Sequence, residues 1–122
     1  MGKTLLVVDD HADARDSLEI LLRLVGYDVV TAANGKEALD LLGSGLAPDL
    51  ILLDMLMPVL DGWHFLERLQ RDAPQPRAPI IVTTATILTP EWARDHGCQG
   101  FLRKPINPDD LFAEVRRCLG EA

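Results

Sequence analysis

Four apolar runs in this sequence end at, or just before, side chains that can do chemistry. Asp9 and Asp10 follow Leu5 to Val8, Asp54 follows Leu50 to Leu53, Thr84 follows Ile80 to Thr83, and Lys104 stands just past Gly100 to Leu102. Such runs read as strands buried on both faces, where adjacent carboxylates repel each other and resist leaving water. Carboxylates gathered within a few ångströms raise one another's pKa unless a cation intervenes. A hard divalent ion resolves the conflict. Magnesium suits it best, taking one or two carboxylates and filling its other octahedral positions with waters or substrate oxygens. A carboxylate beside such an ion can accept a phosphoryl group, the metal and a lysine neutralising charge on the equatorial oxygens. A threonine hydroxyl can then hydrogen-bond a phosphoryl oxygen and so register its presence.

Taken singly, each residue has a plainer role: an aspartate after a strand is often a turn former or helix cap, and a lysine is usually solvated. What favours chemistry is convergence. Apolar runs alternate with stretches of helical spacing, the pattern of strands and helices around a parallel sheet. Adding Val29 to Thr31 makes five candidate strands. Right-handed crossovers place every strand's C-terminal end on one edge, where ligands of such folds bind.

The helices declare themselves by stripe and cap. Ala14, Leu18, Leu21, Leu22 and Val25 share one face of the first, which Gly26 ends; Asn34 and Glu37 form a capping box for the second, which buries Ala38, Leu41 and Leu42. The third runs from about Gly62 to Gln70 on Phe65, Leu66 and Leu69, before the proline-rich "APQPRAP". Thr89 and Pro90 open a short fourth helix that Gly97 stops, and Asn107 and Pro108 open the fifth, which buries Leu111, Val115, Cys118 and Leu119. The expected fold is a single α/β domain over 1–122, a (βα)5 doubly wound, five-stranded parallel sheet with helices on both faces and no output domain.

Composition narrows the function. The 122-residue chain carries a net charge of −7, which argues against direct nucleic-acid binding because phosphates are neutralised by Lys and Arg. No apolar run approaches the ~20 residues of a membrane span, and no targeting pattern opens the chain, so a cytoplasmic location is expected. Cys98 and Cys118, with His11, His64 and His96, lack zinc spacing, and the cysteines read as reduced thiols.

In order along the chain, "VVDD", "LLDMLMPVLDG", "VTTA" and "FLRKP" resemble the receiver domain of two-component response regulators, over essentially the whole length. The resemblance implies a flavodoxin-like strand order 2-1-3-4-5. It implies that Asp54 is the phosphoacceptor and that Asp9, Asp10, Asp54 and the backbone carbonyl of Leu56 bind Mg2+, for which Mn2+ can substitute. Lys104 would contact the phosphoryl group and precede a cis peptide to Pro105, with Thr84 and Phe101 as the switch pair. Of the paired acids, Asp10 is expected to ligate the metal directly and Asp9 through a bound water. The function implied is a phosphorylation switch that takes its phosphoryl group from a sensor histidine kinase or phosphotransfer protein, dephosphorylates itself and signals to a downstream protein.

Two features depart from the family pattern. Phe101 stands where the family often has Tyr, so its ring can turn inward but offers no hydroxyl. The 17 positions from Thr84 to Phe101 and 20 to Lys104 are fewer than the pattern implies, the loss falling in "ATILTPEWARDHG". A dimer through the fourth helix, fifth strand and fifth helix is therefore not expected. Trp63 is expected to be buried, Trp92 is open between burial and exposure, and His11 and His64 belong to surfaces. The alternatives are an excised receiver of a longer, for example transcriptional, regulator and a magnesium phosphatase working through an aspartyl phosphate. Against the phosphatase, Leu56 stands where such enzymes place a second Asp. A binding module independent of phosphate would be expected to lose Asp54 or Lys104, and both are present.

Overall fold

The computed structural model describes residues 2–55, 61–72 and 78–121. Strands and helices alternate along them: β1 (Thr4–Val8), α1 (Ala12–Leu24), β2 (Asp28–Ala32), α2 (Gly35–Gly43), β3 (Leu50–Asp54), α3 (Gly62–Asp72), β4 (Ile80–Thr84), α4 (Pro90–Asp95), β5 (Gly100–Arg103) and α5 (Pro108–Leu119). All the strand pairs are parallel and their order is β2-β1-β3-β4-β5, the expected doubly wound arrangement. Register aligns the strand ends: Val8 lies opposite Ala32 and Leu53, Asp54 opposite Thr83, and Thr84 opposite Arg103.

Burial explains why β1, β3 and β4 each carry an unbroken apolar run, Leu5 to Val8, Leu50 to Leu53 and Ile80 to Val82. Alternate residues point to opposite faces, and each face is covered. Leu6, Val8, Ile51, Leu53 and Val82 meet Ala38 of α2, Phe65, Leu66 and Leu69 of α3 and Ala93 of α4. Leu5, Val7, Leu50, Leu52 and Ile81 meet Leu18 and Leu22 of α1 and Leu111 and Val115 of α5. The sheet is thus clamped between two close-packed cores, which fix the level of its strand ends.

The caps act largely as the sequence indicates. Asn34 accepts the Glu37 N–H, while Glu37 reaches back to the N–H of Ala33, one residue before the cap. Thr89 and Asn107 cap α4 and α5, each with Pro at the start of the helix. Gly97, at φ +79°, follows the six-residue α4 in the left-handed conformation that glycine adopts without strain. Strands β3, β4 and β5 each run one residue further than expected, so Asp54 and Thr84 are the last residues of strands and not the first of loops.

Two expectations about apolar residues are corrected. Val25 lies past the end of α1 and is 47% exposed, because the chain has left the helix before the stripe returns to the core. Trp63, expected to be buried, is 46% exposed. It sits on the outer side of α3, where its ring meets Trp92 at 5.5 Å and His96 at 5.2 Å, and Trp92, half-buried, stacks on His96 at 4.1 Å. The core side of α3 is already filled by Phe65, Leu66 and Leu69.

At the free edge of β5, Glu114 of α5 accepts the Phe101 N–H at 2.9 Å, and Arg117 donates to the Gln99 carbonyl at 2.7 Å and to Glu114. Burial pushes the Glu114 carboxyl up, but hydrogen bonds from Arg117 and from the Phe101 N–H outweigh it and hold the carboxyl below its ordinary range.

Gly62 opens α3 against the end of β3. A Cβ there would lie 2.7 Å from the Met55 Cα and 3.0 Å from the Asp54 carbonyl, both backbone atoms that cannot swing aside. Gly62→Ala is expected to cost about 1–3 kcal/mol, as overpacked sites do. Urea unfolding should show a lower midpoint with an unchanged slope; an unshifted midpoint would refute the close approach.

Candidate functional site

The carboxyl edge of the sheet brings the acidic residues and Lys104 together. Asp9 and Asp54 are buried, at 1% and 3% exposed, and Asp10 is half-buried. Lys104, from the segment after β5, donates from Nζ to Asp9 Oδ2 at 3.1 Å and lies 3.5 Å from Asp54 Oδ2. Asp9 Oδ1 accepts the backbone N–H of His11 at 2.9 Å, so both carboxylate oxygens of Asp9 have donors. Arg15 of α1 donates to the Asp9 carbonyl at 2.8 Å and fixes the turn from which the two acids project.

Asp10 stands differently. Its Oδ1 is buried and accepts no hydrogen bond among the described residues, although His11 Nδ1 is 3.2 Å away. One ligand atom from each of Asp9, Asp10, His11 and Asp54 can be chosen so that all lie within 4.8 Å of one another. An acceptor oxygen buried without a donor among other carboxylates is suited to a cation, and an oxygen-rich set suits a hard divalent one. The residues present therefore fit a magnesium-type ion. Leu56, whose carbonyl was expected to join them, lies outside the described residues.

Thr84 occupies the same edge, and its carbonyl accepts the Lys104 N–H at 2.8 Å. Its hydroxyl is engaged within its own loop, 2.7 Å from Thr86 Oγ1 and accepting the Thr86 N–H at 3.0 Å. Phe101, half-buried on β5, packs on the core side shared with α2, α3 and α4. The Lys104–Pro105 peptide is cis. His11 and His64 are on the surface, as expected, their side chains 71% and 61% exposed.

Some residues were not singled out from the sequence. Arg15 acts through the Asp9 carbonyl, Thr86 engages the Thr84 hydroxyl, and Arg103 holds the β4–α4 loop by two carbonyls. Arg15 could have been noticed as the basic residue in the first turns of the helix that follows the paired acids. Arg103 gives no such signal, since an arginine on an edge strand is ordinarily a solvated one.

A doubly wound sheet whose carboxyl edge joins three aspartates to one lysine defines an acid-pocket α/β protein of flavodoxin-like topology. The family profile of the response regulator receiver domain matches residues 5–116, and the chain belongs to that family. It is 40% identical over 119 residues to response regulator Rre1 of Synechocystis sp. (strain PCC 6803), covering 95% of this chain and 51% of that protein. Against RpaA of the same organism, described as a DNA-binding dual master transcriptional regulator, identity is 34%, over 94% of this chain and 48% of the relative. The chain thus spans about half the length of these curated relatives. Among solved structures, chemotaxis response regulator CheY4 of Vibrio cholerae superposes with a TM-score of 0.85 at 30% identity, over 97% of this chain and 99% of that one. The receiver domain of the Francisella response regulator 1452 gives 0.86 at 28% identity, over 98% of each. Among the described residues, no helix is long and apolar enough to cross a membrane.

The crowding of like charge has a measurable consequence. In chelator at pH 7, Asp10→Asn should raise stability by on the order of 1 kcal/mol, because it removes one of the mutually repelling carboxylates. Urea unfolding reads this out, and a lower midpoint in the variant would show that the carboxylates do not oppose one another.

Proposed function

We propose that this receiver is a phosphorylation switch in which Asp54 is the phosphoacceptor. The observation that carries the reading is the Lys104 ammonium between Asp9 and Asp54, beside the buried, undonated oxygen of Asp10. An Asp54 carboxylate oxygen attacks the phosphorus of a phosphohistidine on a sensor kinase or phosphotransfer protein. A P–O bond forms, the P–N bond breaks, and its electron pair stays on the donor imidazole. Lys104 lies where charge on the transferring oxygens can be neutralised. Mg2+, or Mn2+ in its place, would be held by Asp9, Asp10 and Asp54 with the Leu56 carbonyl, and supplies further neutralisation of those oxygens. The donors already on both Asp9 oxygens support Asp10 as the direct ligand and Asp9 as one acting through water. Hydrolysis of the acyl phosphate by water returns the Asp54 carboxylate.

The signal leaves through Thr84 and Phe101. To hydrogen-bond a phosphoryl oxygen, the Thr84 hydroxyl must give up its contacts with Thr86, and the Phe101 ring can then turn inward. A cytoplasmic location and a downstream protein target complete the reading. The half-length match to RpaA, whose name describes a DNA-binding regulator, supports a second version in which the switch governs an attached output. The six-residue α4 supports a partner face other than the α4–β5–α5 dimer.

Incubated with Mg2+ and acetyl phosphate, the protein should gain the mass of one phosphoryl group, and Asp54→Asn should gain none. Equal labelling of both, or none of the parent under conditions that label CheY4, would overturn the assignment. By light scattering, the labelled protein should remain a monomer at concentrations where receivers of the α4–β5–α5 type pair; a phosphorylation-dependent dimer through that face would contradict the reading of α4.

A further inference from the structure

We propose that Arg103 is a clamp holding the resting state of the switch, and that it is the link through which Thr84 controls Phe101. The guanidinium of Arg103 donates from Nη1 to the Thr86 carbonyl at 2.5 Å and from Nη2 to the Leu88 carbonyl at 2.7 Å. Its Cζ stands 5.1 Å from the centre of the Phe101 ring, within the range of a cation–π contact. One side chain therefore binds two points of the β4–α4 loop and covers the ring two residues before it. A planar fork suits this task, since it presents its N–H donors in fixed directions where a lysine offers a compact charge on a flexible stem.

The loop it holds is the one Thr84 holds. Thr86 contacts the Thr84 hydroxyl through both its own hydroxyl, at 2.7 Å, and its N–H, at 3.0 Å, and Leu88 N–H donates to Thr86 Oγ1 at 3.3 Å. A hydrogen-bonded chain thus runs from Thr84 through Thr86 and Leu88 to Arg103, whose cation–π contact carries it on to Phe101. If the Thr84 hydroxyl leaves Thr86 for another acceptor, Thr86 is free to shift, and its carbonyl is one of the two that fix Arg103. The clamp loosens and the ring loses its cover. Arg103 contacts neither Asp54 nor Lys104 among the hydrogen bonds and ion pairs described, so its part is positional and not catalytic.

The sign follows from what is held. Arg103 bonds the loop in the resting arrangement, so removing it favours the other one. This inference rests on the switch reading of Thr84 and Phe101. With a minor state at around the 1% level, loss of the clamp should raise its population about tenfold, since charged donors to two carbonyls are given up at once.

The test compares wild type, Arg103→Ala and Arg103→Lys by amide NMR, before and after labelling with acetyl phosphate and Mg2+. The signals followed are those of Ala93 and Cys98, which report on α4 and its end. Without donor, Arg103→Ala should move these signals along the line from unlabelled to labelled wild type, and Arg103→Lys should fall between. Signals that stay at the unlabelled position, or leave that line, would overturn the clamp. A wild type that takes no phosphate would instead sink the phosphoacceptor reading. The clamp is then judged by combining Thr84→Ala with Arg103→Ala: shifts that fail to add support the link, and additive shifts refute it.

Discussion

The contact on which this structure depends is the Lys104 ammonium beside two buried aspartates, because it sets a positive charge against the like charges gathered at the carboxyl edge of the sheet. Its partners are far apart in sequence, Lys104 and Asp9 being separated by 95 positions. Neither local propensity nor any one helix can make such a contact. It forms when β1, β3, β4 and β5 pair in register, so a slip of one strand would send its end residue to the wrong level and the opposite face. The apolar interior of β1 and β3 and the two covering cores keep that register. Cores of this kind are stiff, and strain at their edge is passed on more readily than absorbed.

That stiffness sets what the edge can do. To take a two-state domain from 1:99 to 99:1 requires about 5.5 kcal/mol of differential stabilisation. Hydrogen bonds to charged groups contribute roughly 1.5–3 kcal/mol each. A handful of contacts made in one state and broken in the other is therefore sufficient, and no large rearrangement of the sheet is needed. On the switch reading, the side chains that would change partners flank the β4–α4 loop: Thr84 at the end of β4, Thr86 within the loop and Arg103 on the strand that returns from it. The sheet supplies the fixed frame, and the loop supplies the alternatives.

Much of this was legible in the residue types. The parallel sheet could be read because its central strands, buried on both sides, are apolar without alternation. The helix starts could be read because Asn34, Thr89 and Asn107 carry a local, physical signature. The site could be read because Asp9, Asp10, Asp54 and Lys104 all fall where the runs end. The errors arose where the third dimension decides. Trp63 is large and apolar, but α3 had already filled its inner face, and an indole beside Trp92 and His96 can be half covered without entering the core. Val25 continued a stripe on paper after the helix had stopped. Arg103 was invisible for the opposite reason: its acceptors are backbone carbonyls, which every residue possesses and no sequence pattern marks.

The pairing of Glu114 and Arg117 along β5 has a consequence outside signalling. Strand β5 is short and stands at the end of the sheet, with donors and acceptors that a strand from another molecule could use as a template. Glu114 accepts from the Phe101 N–H and Arg117 donates to the Gln99 carbonyl just before the strand, so one donor and one acceptor along that edge are occupied from within. A charge pair laid along an edge in this way also makes an approaching strand displace ions before it can bond. The helix that completes the fold thereby protects the protein against self-association through its own sheet, a safeguard of most value when the chain is crowded or newly made.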